Sequence, residues 1–287
     1  MTATVFSDVV CNLGEGPSFH PDSGRVYWFD ILEKRLLEKR PDRSGTIVHQ
    51  LPFNASVIAA VDDDRQLVVG AGGLHVRRIA DGALTLHRPL VAEDPGIRSN
   101  DGRVHPAGAL WLSTMSRTAE EGAAAIWWYR DGELRRLIGG LTIPNGIAFA
   151  PDGTHAFYAD TRPGKVWRIP TDPSTGLPVG DPSLFLDGGD GGPDGAVVDA
   201  DGLYWSARWG AGAVIAHDRD GREVARLAVP ATQSSCPAFV GERMVVTSAQ
   251  EGMDEAARAA DPLSGQTFLL DGPFRGRHDP AVRLGEG

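Results

Sequence analysis

Four oxygen-bearing side chains stand at near-multiples of one interval along this chain: Glu15 in GEGP, Asn100 in RSND, Asn145 in IPNG and Asp194 in PDG. Carboxylate and amide oxygens with no histidine or cysteine among them suit a hard divalent cation such as calcium, magnesium or manganese, and zinc less obviously. Taken singly, each is an ordinary turn or strand-entry residue, because Asn and Asp close to Gly are common punctuation. Their shared register makes them a candidate centre.

That register comes from repeats. GPSFHPDSGRVYWFDI, VIAAVDDDRQLVVGA, GRVHPAGALWLSTM, GIAFAPDGTHAFYADT, GAVVDADGLYWSARW and PAFVGERMVVTSAQ share one plan, an apolar run, a polar turn and a second apolar run. The turns hold Asp-Gly, Ser-Gly or clustered Asp, which tolerate the left-handed backbone of a tight hairpin, and the flanks are rich in β-branched and aromatic residues. The apolar residue before each turn is Phe19, Val61, Val104, Phe149, Val198 or Phe239. Four positions earlier stand Glu15, Val57, Asn100, Asn145, Asp194 and Ser235, separated by 42, 43, 45, 49 and 41 residues.

A period of this length built from short strands is the mark of propeller blades. Further strand-like runs such as AAAIWWYRDGEL, GKVWRIP and GAVIAHDRDGREVARLAV bring each unit to as many as four strands. The chain is therefore expected to form an all-β, six-bladed β-propeller with four-stranded blades, one domain over residues 1–287. The N-terminal strand ATVFSDVV is expected to close the ring in the last blade, beside QTFLLDG. In such a ring the first strand of every blade lines the axis, so Glu15, Asn100, Asn145 and Asp194 converge at one channel mouth. EGMDEAARAA, from Glu251, is the best helical candidate.

With 28 Lys and Arg against 38 Asp and Glu, the net charge of −10 offers no basic footprint for nucleic acid. No apolar run approaches the roughly 20 residues of a membrane span, and a soluble, cytoplasmic protein is expected. Cys11 and Cys236 form no CxxC pattern; they are expected to fall in neighbouring units, close to each other, as reduced thiols. Neither a GxSxG elbow nor an HExxH pair occurs, and His20 and His105 flank turns where solvation is expected. Asp131, Asp152, Asp201 and Asp220 lie in or near turns and are expected to be structural.

The motifs LGEGPSFHP, RSNDGRVHPAGALWLSTM, IPNGIAFAPDG and PDGAVVDADGLYWSARWG, taken together, resemble the SMP-30/gluconolactonase/luciferin-regenerating-like family over nearly the whole chain. The resemblance implies a six-bladed propeller holding one divalent cation (calcium, zinc, manganese or magnesium) and hydrolysis of a sugar lactone, aldono- or aldarolactone, to the sugar acid. Carried over by position, the metal ligands are Glu15, Asn145 and Asp194, and the sugar contacts are Arg98 and Asn100, with Asp101 expected to face the same mouth.

The match departs after STM, where an acidic substrate contact falls near Thr118; Glu120 or Glu121, from a shifted loop, is expected to take that part, with Glu121 carried as the candidate. Asp194 is the first choice of general base and Asp101 the second. Trp209 is either a wall for the sugar face or inter-blade packing. The competing readings are a related metal-dependent esterase or phosphotriesterase and a non-enzymatic binding platform. The expected partner is a small lactone, and the expected state a monomer or small homo-oligomer.

Overall fold

The computed structural model of the chain describes residues 2–90, 96–272 and 274–285. The runs of Val, Tyr, Trp and Phe between tight turns form six antiparallel sheets of four strands each. The first, innermost strands are Gly14–His20, Ala55–Ala60, Ile97–Val104, Pro144–Phe149, Gly192–Val198 and Ser234–Val240. Each packs against the inner strands of both neighbouring blades, which closes the ring. This is the expected six-bladed β-propeller.

Closure uses the N-terminus. Ala3–Ser7 pairs antiparallel with Thr267–Asp271, placing Ala3 opposite Leu270, so the first strand of the chain becomes the outermost strand of the last blade. The helix is also where the sequence suggested, at Glu255–Ala260, capped by Asp254, whose side chain accepts from the Ala257 amide. Among the described residues no helix is long and apolar enough to cross a membrane.

The apolar cores lie largely between blades. Trp111 and Ile126 of the third blade pack with Ile147, Phe149 and Tyr158 of the fourth, and Trp111 meets Phe149 edge-on at 5.4 Å. A blade buries its two faces against its neighbours, so apolar burial stabilises the ring as a whole and holds the inner strands at fixed separations.

Residues 274–285, to which the sequence assigned no part, run across the ring at the end away from the four oxygen donors. Phe274 packs with Trp205 and Phe239, Asp279 pairs with Arg103 at 3.1 Å, the Val282 amide donates to Ala60 and the Arg283 amide to Gly108. This segment ties the fifth and sixth blades to the second and third.

His105 and His20 are not solvated: both are buried, His105 Nε2 lying 3.0 Å from the Gly153 carbonyl and His20 pairing with Gln66 and meeting the Tyr27 ring at a tilt. Turns at Gly153 and Gly176 lie directly against the His105 ring. Cys11 and Cys236 are both buried and free, with no disulfide between them. Cys11 has Trp28, Asp30 and Arg35 around it, whereas Cys236 lies near Glu15, Asp101, Asp194 and Arg103 on the axis.

Candidate metal and substrate site

In every inner strand the pairing with the second strand slips near its start: between Glu15 and Ser18, Ala55 and Val57, Ser99 and Gly102, Asn145 and Ala148, Pro193 and Ala196, and Ser234 and Pro237. One extra residue in the inner strand bends it and re-aims its side chains. Glu15, Asn100, Asn145 and Asp194 all sit at these bulges. Gly16 and Gly146, which follow two of them, have φ of 57° and 60°, a left-handed backbone that glycine adopts without a Cβ clash.

Strand-end aspartates fix where the inner strands begin. Asp30 accepts from the Asn12 and Leu13 amides just before Glu15, and Asp160 accepts from the Thr142 and Ile143 amides just before Asn145. Carboxylate-to-amide bonds are among the stronger hydrogen bonds, and these hold the entry of each donor strand.

At this end of the ring a cavity of ≈ 450 Å³ is lined by Glu15, Arg98, Asn100, Asn145 and Asp194, with Thr161, Trp209 and Glu251 on its walls. Arg98 Nη1 donates to Asn100 Oδ1 at 2.6 Å, and Asn100 Nδ2 donates to Asn145 Oδ1 at 2.8 Å. Arg98 is 9% exposed, Asn145 5% and Asp194 4%.

The two carboxylates resist ionisation. Burial, and then the charge of Asp101, push the Glu15 carboxyl up to about 8. Burial and then the charges of Glu15 and Asp101 raise Asp194 well above the ordinary carboxylate range. A divalent cation is the charge that would let both ionise together, and two carboxylates with a neutral amide oxygen form a donor set suited to a hard ion. The residues present fit such an ion. Among the described residues no group of three or more His, Cys, Asp and Glu is placed to hold a metal, so this set depends on its amide oxygen.

The remaining candidates separate. Asp101 lies close enough to raise both carboxyls, yet it does not line the cavity: its Oδ1 accepts from the Gly102 amide and its Oδ2 from the Ile147 amide, each at 2.8 Å. Glu120 and Glu121 are exposed and outside the cavity wall. The acidic wall residue is Glu251, from the loop after the last hairpin, whose charge acts on Arg98. Trp209 lines the cavity and also packs against the cluster of Phe29 and Ile31.

Glu251 and Thr161 escaped the sequence reasoning because both lie outside the repeated inner-strand register. Arg117 and Arg162 also reach the cavity from turns.

Comparison with known proteins is consistent along the chain. The family model described as SMP-30/Gluconolactonase/LRE-like region matches residues 13–250. A Rhizobium meliloti protein named "Putative sugar lactone lactonase" is 50% identical, the match covering 97% of this chain and 96% of that protein. The pentonolactonase XacC of Haloferax volcanii is 36% identical over 99% of this chain and all (100%) of its own length. Among solved structures, a calcium-binding protein, regucalcin, from Agrobacterium tumefaciens superposes with a TM-score of 0.97 at 45% identity, covering 98% of this chain and 97% of that one.

Proposed function

The chain belongs to the SMP-30/gluconolactonase/LRE-like family, and on that premise we propose that it hydrolyses a sugar lactone to the corresponding sugar acid in the cavity around Glu15, Asn145 and Asp194. The observation that carries the proposal is the meeting of the half-buried Glu15 carboxylate, the buried Asp194 carboxylate and an amide oxygen with Arg98 and Asn100 in one cavity. Relatives named as lactonases support the reaction class.

Glu15, Asn145 and Asp194 are the residues that hold a divalent cation, and calcium is supported by the calcium-binding neighbour. When bound, such an ion supplies Lewis-acid polarisation of a carbonyl and lowers the pKa of water. Arg98 presents its remaining guanidinium donors to the ring hydroxyls of the sugar, its Nη1 being engaged by Asn100 and the Ser99 carbonyl. Trp209 supplies an apolar wall for the sugar face.

In the reaction, water oxygen bonds to the lactone carbonyl carbon, the ring C–O bond breaks, one proton of the water ends on the released ring oxygen and the other leaves to solvent as the carboxylic acid ionises. Asp194 is placed in the cavity to take the proton from the attacking water. Asp101, with both oxygens held by backbone amides, stays behind the cavity wall, and burial pushes its own carboxyl up. Asp194→Ala and Asn145→Ala are expected to lose lactone turnover and cation binding together; wild-type affinity and turnover in both would overturn the assignment.

A further inference from the structure

The amide of Asn145 must present its oxygen, and not its nitrogen, to a cation, yet an isolated amide can turn either way. The structure contains a chain of hydrogen bonds that removes the choice. Arg98 Nη1 donates to Asn100 Oδ1 at 2.6 Å, and a guanidinium only donates. Asn100 Nδ2 therefore faces outward, donating to the Pro144 carbonyl at 3.0 Å and to Asn145 Oδ1 at 2.8 Å. At the far end Thr161 Oγ1 donates its one hydrogen to the Pro193 carbonyl at 2.7 Å, so it can only accept from Asn145 Nδ2, at 2.8 Å. Both ends of the chain dictate the same orientation.

Thr161 does more than close the chain. It lies in the turn after His155–Asp160 of the fourth blade, and its amide donates to Ile143 at 3.0 Å. Its methyl sits so close to Gly192 that a Cβ there would meet Thr161 Cγ2 at 2.7 Å, which seats the side chain with its hydroxyl toward Asn145 and Pro193. Pro193 immediately precedes Asp194. One hydroxyl thus links the amide donor of the fourth blade to the strand that carries the carboxylate donor of the fifth.

We infer that Thr161 is a positioning residue for the cation site: it fixes the Asn145 amide with its oxygen toward the cavity and sets the spacing between Asn145 and Asp194. The inference rests on the cation reading of the site proposed above. Thr161 touches neither substrate nor reacting atoms through this role, and its effect is on the affinity and geometry of the site.

Thr161→Val keeps the shape and removes both hydrogen bonds, whereas Thr161→Ser keeps the hydroxyl. Calcium and manganese binding to wild type and both variants would be measured by calorimetry on metal-stripped protein, with thermal melts of the same samples. Removing an outer partner of a ligand typically weakens binding about 10- to 100-fold, and that loss is expected for Thr161→Val, with a clearly smaller loss in Thr161→Ser, which keeps the hydroxyl but not the methyl that seats it, and all three melting alike without metal. Wild-type affinity in Thr161→Val, or an equal loss in Thr161→Ser, overturns the positioning role and leaves the cation reading standing. A wild-type protein that binds neither ion overturns the cation reading itself.

Discussion

Asn100 Nδ2 lies 2.8 Å from Asn145 Oδ1, a side-chain bond that crosses from the third blade to the fourth at the mouth of the axial channel. Asn100→Asp would set an oxygen against two acceptors, Asn145 Oδ1 and the Pro144 carbonyl. A drop in kcat/KM of about 10- to 100-fold is expected, the range for disturbing a partner of a metal ligand. Steady-state kinetics on a hydrolysed lactone would check it, and a change within about twofold would mean that the bond does not matter to the site.

Arg98 is buried, with one nitrogen committed to Asn100 and Ser99 and the rest of its guanidinium directed to the cavity. Arg98→Met should raise KM on the order of tenfold through loss of charge-assisted hydrogen bonds to substrate. Its measurement is the KM and kcat pair. An unchanged KM would place the sugar elsewhere in the cavity.

The bulge glycines should tolerate no side chain. Gly146 has φ of 60°, and a Cβ there would strike the Tyr204 hydroxyl, which donates to the Gly146 carbonyl at 3.2 Å. Gly146→Ala is expected to cost about 1–3 kcal/mol of stability, read by chemical denaturation. A variant as stable as wild type would show that the bulge can relax without that backbone.

His20 gives the fold a pH dependence remote from the site. Burial pushes its imidazole from 6.5 down to about 4, with Asp22 acting weakly in the opposite sense. Between those values the unfolded chain binds a proton that the folded chain does not, so stability rises with pH. The contribution is complete above about 6.5 and is lost as pH falls toward about 4. Thermal melts of wild type and His20→Gln across this window should show a flatter pH profile for the variant; parallel profiles would contradict the buried neutral imidazole.

The sequence made the ring and its donors legible for one physical reason: Glu15, Asn100, Asn145 and Asp194 occupy the same place in repeated strands, and closing the blades turns sequence spacing into spatial convergence. Residues brought in by loops carry no such signal. Glu251 reaches the cavity from the long connection after Arg243–Ser248, and Thr161 from a two-strand turn, while Glu121, expected from a shifted loop, remains exposed. Asp101 shares a motif with Asn100, yet neighbouring side chains at a bulge diverge, and its carboxylate turns to the Gly102 and Ile147 amides. The cross-ring segment 274–285 belongs to no repeat, so the period could not reveal it.

The central claim is that Glu15, Asn145 and Asp194 hold a divalent cation on which lactone hydrolysis depends. The most direct test strips the protein with a chelator and measures hydrolysis of a panel of sugar lactones before and after calcium, manganese, magnesium or zinc is restored. The account predicts activity that vanishes on stripping and returns with at least one ion in wild type, but not in Asp194→Ala. Full lactone turnover by the stripped protein would contradict it.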